Sequence, residues 1–190
     1  GTGDGIAGGT DDVTGEVTQV TGNISTLFQS GADEPLTYTL GSTGSLPALT
    51  SGGETVTYSV SGDTLTASVT AGTVFTFVLD ESTGDYTFTL IDQLDHASGG
   101  DENDLTINLG SVIQATDDDE DTVTAASNGL AITVDDDTPI ATSATLSATV
   151  DEDGVLEGAA DAGTGDGIAG GTGDVTGEVT QVTGNISTLF

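Results

Sequence analysis

The run Ala115–Asp121 reads ATDDDED, and in an extended segment its Asp117, Asp119 and Asp121 side chains fall on one side while Asp118 and Glu120 fall on the other. Three carboxylates aimed at one point repel each other and attract a hard divalent cation. Ca2+ takes six to eight oxygen ligands at flexible angles, and loops of Asp, Glu and backbone carbonyls supply them. A second acidic group brackets a proline: Asp135, Asp136 and Asp137 precede Pro139, and Asp151, Glu152 and Asp153 follow one strand later. An ion held between those two runs would clamp the linker at a fixed angle. A third, weaker group gathers Asp92, Asp95, Asp101, Glu102 and Asp104 around Gly99-Gly100. The expected metal ligands are Asp117, Asp119, Asp121, Asp135, Asp136, Asp137, Asp151, Asp153, Asp101 and Asp104, with Ca2+ as the ion. Asp80, Glu81 and Asp85 sit in a turn pattern that requires Asp and Gly in any case, and are read as turn residues.

Catalytic chemistry finds little to work with. His96 is the single histidine, Ser98 lies in a Gly-rich turn, and no G-x-S-x-G elbow exists to present a nucleophile. Carboxylate pairs such as Asp118 and Glu120 arise by chance among 32 acids, and there is no Trp to stack a sugar. The chain is therefore expected not to be an enzyme, and His96 is read as a loop-packing residue. The Gly-rich stretch 161–173 carries no Lys and repels phosphate, so a phosphate cradle is not expected there.

The whole chain of 190 residues has no Lys, no Arg and a formal charge of -32. Without a fixed cation it cannot grip phosphate, so nucleic acid and anionic membrane surfaces are excluded as partners, and its repulsion must be answered from outside. With no Cys, it has no disulfide framework, thiolate metal site or thiol redox chemistry. No apolar run reaches the ~20 residues that cross a bilayer, so direct membrane insertion is not expected. High charge and few aromatics would suggest disorder. The 34% hydrophobic fraction points the other way, because its Val, Ile, Leu, Phe and Tyr alternate with Thr in the manner of strands.

The elements that must carry the acidic loops are strands. Val74–Ile91 reads as a hairpin, with Phe75, Phe77 and Leu79 alternating with Val74, Thr76 and Val78 before a turn at Gly84. Thr55–Thr70 reads as a second hairpin turning at Ser61-Gly62-Asp63. Further strands are expected over Val17–Val20, Leu36–Leu40, Leu105–Leu109, Gly129–Val134 and Ala144–Val150. Short strands with turns between them and no helical periodicity indicate an all-β antiparallel sandwich. The first 28 residues return at Gly163–Phe190 with one difference, Asp11 against Gly173, a period of 162 residues. A period that long is a whole domain, so the expected partners are neighbouring identical repeats in tandem.

The succession VFTFVLDESTGDYTFTLIDQLDH (Val74–His96), NDLTINL (Asn103–Leu109), ATDDDED (Ala115–Asp121) and VDDDTP (Val134–Pro139) resembles the repeat domains of large bacterial RTX adhesins exported by type I systems. It is nearest to the type I secretion repeat family and similar also to VCBS repeats, over about Thr55–Glu157. The resemblance implies an Ig-like β-sandwich with calcium in loops and at domain junctions, His96 in a structural signature, and an extracellular place on the bacterial cell surface. The implied role is that of a calcium-stabilised extender, a monomeric rod segment of an adhesin. The alternative is an adhesive module that recognises glycan or protein on a target surface. Two departures stand out. Glu120 occupies the place of Gly in the family's D-x-D-G-D loop, and Asp174 follows Gly170-Gly171-Thr172-Gly173 one position too early for a calcium β-roll. The family pattern implies a sandwich repeat over 1–134 lacking its opening strand, an acidic calcium-binding linker over 135–139, and the start of the next repeat over 140–190. In the other phasing Gln29–Phe190 is one complete unit, and the two copies of the 28-residue segment compete for one place.

Overall fold

The strongest alternation in the chain, Val74–Ile91, forms the hairpin expected of it. Around that hairpin the computed structural model, which describes residues 17–32, 34–98, 103–136, 141–148 and 182–189, assembles its largest sheet. The strands in chain order are β1 (Gln19–Asn23), β2 (Thr37–Leu40), β3 (Thr50–Ser51), β4 (Glu54–Thr55), β5 (Thr57–Ser61), β6 (Thr64–Val69), β7 (Gly72–Leu79), β8 (Asp85–Leu90), β9 (Leu105–Asn108), β10 (Ile113–Thr116), β11 (Thr122–Thr124) and β12 (Ala131–Val134). Short 3-10 turns at Ser25–Leu27, Gly110–Val112 and Ser187–Leu189 are the only helical segments among the described residues. The fold is all-β, with every strand pairing antiparallel.

One sheet runs in the order β1-β8-β7-β6-β5, a second in the order β11-β10-β2, and two ribbons pair β12 with β9 and β3 with β4. A single core joins them. Leu65, Ala67, Phe75, Phe77, Leu79 and Phe88 come from the large sheet, Tyr38, Ile113 and Ala115 from the second, and Ile107, Ile132 and Val134 from the β9–β12 ribbon. Alternation of Thr with apolar residues in β6 and β7 turns Leu65, Ala67, Phe75, Phe77 and Leu79 inward. Val74 breaks the pattern, since it is as fully buried as Phe75. The register explains this: Ala67 faces Phe75 while Ser68 faces Thr73, so Val74 is the extra residue of a β-bulge, and Val74 and Phe75 both point into the core.

Strand boundaries differ from the sequence expectation where hydrogen bonding overrides composition. β1 lies over Gln19–Asn23 rather than Val17–Val20, because its backbone follows β8 from Thr89 to Asp85. β3 and β4 form a tiny hairpin whose two-residue loop, Gly52-Gly53, has φ of +57° and +79°, a pair of left-handed positions that glycine alone takes without strain. Contacts divide the chain into Gly1–Thr138 and Pro139–Phe190. The twelve strands found among the described residues all belong to the first unit. In the second unit Thr142 N donates to Leu189 O at 2.8 Å, and residues 141–148 form no strand, although Ala144–Val150 was expected to; residues 149–150 lie outside the described residues.

Candidate metal centre

β10 is the platform of the acidic loop. It lies between β2 and β11, with Ile113 and Ala115 wholly buried in the core and Gln114 and Thr116 turned outward. Gln114 pairs with Thr124, Ala115 with Val123 and Thr116 with Thr122, and the two threonine hydroxyls of the last pair lie 2.9 Å apart. Past that pair, Asp117 N donates to Asp121 O at 3.1 Å, Glu120 N donates to Asp117 O at 3.3 Å, and Asp121 N donates to Asp117 Oδ1 at 2.8 Å. Glu120 sits at φ +73°. These are the marks of a three-residue hairpin loop that closes through a left-handed residue.

Asp117, Asp119 and Asp121 thus come together, but by a different route from alternation along an extended strand. Asp117 and Asp121 face each other across the mouth of the hairpin, and Asp119 lies in the three-residue loop between them. One carboxylate oxygen from each lies within 4.8 Å of the others, with Asp117 partly buried and the other two exposed. Two oxygens on opposite sides of a calcium ion at about 2.4 Å each reach the same separation. The Asp119 pKa is raised, first by a hydrogen bond shared with the Asp117 carboxyl and then by the negative charges of Asp117 and Asp121. The three residues can hold a metal ion through hard carboxylate oxygens.

The other expected ligands are distributed differently. Asp104 immediately precedes β9 and Asp135 immediately follows β12, and the Val134–Leu105 register carried one step further sets Asp135 opposite Asp104. Two residues assigned by sequence to separate clusters therefore share one end of the β9–β12 ribbon, with Asp136 next in line. Asp101, Asp137, Asp151 and Asp153 lie outside the described residues. Among the described residues Asp117, Asp119 and Asp121 are the one group of three such ligands.

Several acids serve turns instead. Asp95 accepts from Gly52 N and Gly53 N at 2.8 Å each through its two oxygens, which binds the β3–β4 loop and lowers the Asp95 pKa, the Gly53 bond most. Asp80 Oδ1 accepts from Ser82 N, Ser82 Oγ and Thr83 N at 2.7–2.9 Å, and these bonds hold its pKa at about 2. His96 is partly buried, with Nδ1 2.6 Å from Asn103 O, while Asn103 Nδ2 donates to Ala97 O at 3.2 Å. The ring thus ties together two ends of the long β8–β9 connection. Glycine pairs followed by a downstream Asp are the sequence signal that could have found the Asp95 cap; nothing local marks its distance of more than forty residues.

Comparison with protein-family models, with curated proteins and with solved structures yields no match to this chain. Among the described residues no helix is long and apolar enough to cross a membrane.

Proposed function

We propose that this chain is a calcium-stabilised extender module of a bacterial cell-surface adhesin of the RTX type, an Ig-like β-sandwich repeat that calcium stiffens in its loops and at its junctions. The observation that carries the reading is the Asp117–Asp119–Asp121 cluster in a chain with 32 acids and no Lys or Arg. β10 is fixed by the core, so the three carboxylates are presented by a hairpin that has little freedom to spread them. Bound calcium supplies the positive charge that the chain lacks. Asp117 and Asp121 then tie the two strands at their mouth, and Asp119 draws in the loop. Asp104, Asp135 and Asp136 offer carboxylates beside the linker for a second such contact.

A ligand that binds only the folded form adds about 2.7 kcal/mol at a hundredfold excess over Kd. That is a large share of the ~5–15 kcal/mol that holds a domain together. Where calcium is scarce, repulsion keeps the chain easy to unfold and so easy to export; outside the cell the same residues favour the folded rod segment. The recurrence of residues 1–28 at 163–190 supports tandem neighbours as partners. Every Tyr and Phe among the described residues is buried or partly buried, which favours a spacer over a glycan-binding module that stacks sugar on exposed rings.

Thermal melting in chelator and in 10 mM calcium, about a hundredfold over a Kd of ~0.1 mM, tests the proposal. The expected rise with calcium is about 10 °C, accompanied by bound calcium in metal analysis. Equal melting in both buffers with no retained metal refutes it.

A further inference from the structure

β5, Thr57–Ser61, is the last strand on one side of the largest sheet, with β6 as its one neighbour in that sheet. Ser61 faces Thr64 across the two-residue turn Gly62-Asp63, where Gly62 takes φ +59°. In a two-residue hairpin the pair next to the turn exchanges hydrogen bonds, and bonded and non-bonded pairs then alternate along the ladder. Thr57, Ser59 and Ser61 therefore turn their backbone groups toward β6, while the N–H and C=O of Tyr58 and Val60 point away from it. Val56 shows the same parity, since its N donates outward to Leu49 O at 2.9 Å. The backbone groups of Tyr58 and Val60 find no such partner among the described residues.

The side chains suit a second strand of the same sequence. Tyr58 and Val60 are partly buried against the core, while Thr57, Ser59 and Ser61 are exposed. In a chain with 32 acids β5 carries none, and the acids that flank it are Glu54 and Asp63. With Ser59 on a two-fold axis, antiparallel pairing sets Tyr58 opposite Val60 and Thr57 opposite Ser61 of the second copy. Every outward N–H and C=O of Tyr58 and Val60 is then bonded on both strands. Carried outward, the same register places Glu54 opposite Thr64 and Asp63 opposite Thr55, so no carboxylate faces another. Other centres fit less well. A pair centred on Tyr58 brings Val60 onto Val56, whose N–H is already held by Leu49, and one centred on Val60 brings Tyr58 onto the turn at Gly62.

We propose that the outer edge of β5 is a docking site for β5 of a second copy of this chain, so that two large sheets join into one across a two-fold axis. The two copies contribute the same short segment, and the contact is correspondingly weak and answers to local concentration. It requires neither bound calcium nor the extender reading.

The absence of Cys makes disulfide trapping unambiguous. Residues 57, 59 and 61 fall at non-hydrogen-bonded positions of the new pair, where Cβ atoms come close enough for a disulfide. Full chains are oxidised in about 0.5 M NaCl, which screens the two polyanions from each other. Ser59→Cys alone is expected to form a cross-linked dimer that rises with protein concentration, roughly tenfold more than Thr57→Cys alone, because Ser59 meets itself on the axis and Thr57 does not. A mixture of Thr57→Cys with Ser61→Cys is expected to form the mixed dimer. Adding Ser59→Asp to both members of that mixture sets two carboxylates face to face and lowers the yield about fivefold, whereas Ser59→Asn leaves it unchanged. All three positions are exposed on the outer face, so the fold tolerates these changes, and circular dichroism checks that it does. A Ser59→Cys dimer no more abundant than that of Thr57→Cys, a missing mixed dimer, or a mixed dimer indifferent to Ser59→Asp overturns the proposal.

Discussion

Replacing Glu120 by Gly is expected to stabilise the acidic hairpin more than replacing it by Ala does. Glu120 is the one non-glycine residue at positive φ among the described residues, at +73°. An L side chain there brings Cβ against the following carbonyl oxygen at a cost of roughly 1–2 kcal/mol. Glycine escapes that contact but loses about 0.5–1 kcal/mol more unfolded-chain freedom on folding. The net gain for Glu120→Gly is about 0.5–1 kcal/mol, a rise of about 3 °C in Tm for a domain of this size. Alanine keeps Cβ and removes the carboxylate, so it shares any relief of charge repulsion but none of the backbone relief. The difference between the two variants therefore isolates the left-handed geometry. Urea unfolding followed by circular dichroism in chelator is the assay. Asp117, Asp119 and Asp121 remain in both, so the increment from calcium should match that of the parent. Glycine and alanine variants that unfold at the same urea concentration would refute the reasoning.

Asp119→Asn is expected to melt at or above the parent in chelator, since it removes a carboxyl crowded by Asp117 and Asp121, and below the parent in calcium. Melting below the parent in both buffers would assign Asp119 a purely structural role. Gly110→Ala drives a Cβ into Ala126 O and to 2.9 Å from Gly129 N, both backbone atoms, so the 126–129 turn must move. A loss of about 3 kcal/mol in urea unfolding is expected, and a loss well under 1 kcal/mol would contradict the close approach. Asp80 has its pKa lowered from 3.8 to about 2 on folding, so its contribution is full above the unfolded value and disappears as pH falls toward 2. Asp80→Ala should flatten the acid limb of stability between those two values, and parallel acid limbs in variant and parent would count against the cap.

The long strands were legible because their apolar residues carry their own period. Phe75, Phe77 and Leu79 announce β7 and its inward face, and Ser61-Gly62-Asp63 announces the turn between β5 and β6. Val74 was not legible, since a bulge depends on how Ala67 and Ser68 align with the partner strand, which no single segment encodes. β10 and β11 are four and three residues long, too short to show a period, and exist because β2 and the core hold Ile113 and Ala115 in place. The acidic cluster is legible in its residue types and not in its geometry: carboxylate spacing points to Asp117, Asp119 and Asp121, while the turn that gathers them depends on Glu120 accepting a backbone that its residue type disfavours. The meeting of Asp104 with the end of β12 depends wholly on register and left no trace in local spacing.

β5 forms the far border of the largest sheet, and Thr57–Ser61 contains no charged residue and no proline. Proteins commonly guard such a border with lysine, proline or a covering segment. With no lysine in the chain, the long-range repulsion among its 32 acids opposes the approach of two such borders, and it fades as salt shortens the screening length to about 8 Å at physiological ionic strength. Colloidal behaviour and internal order thus answer to the same counterions in opposite senses: conditions that quiet the acidic hairpin also let two such borders approach.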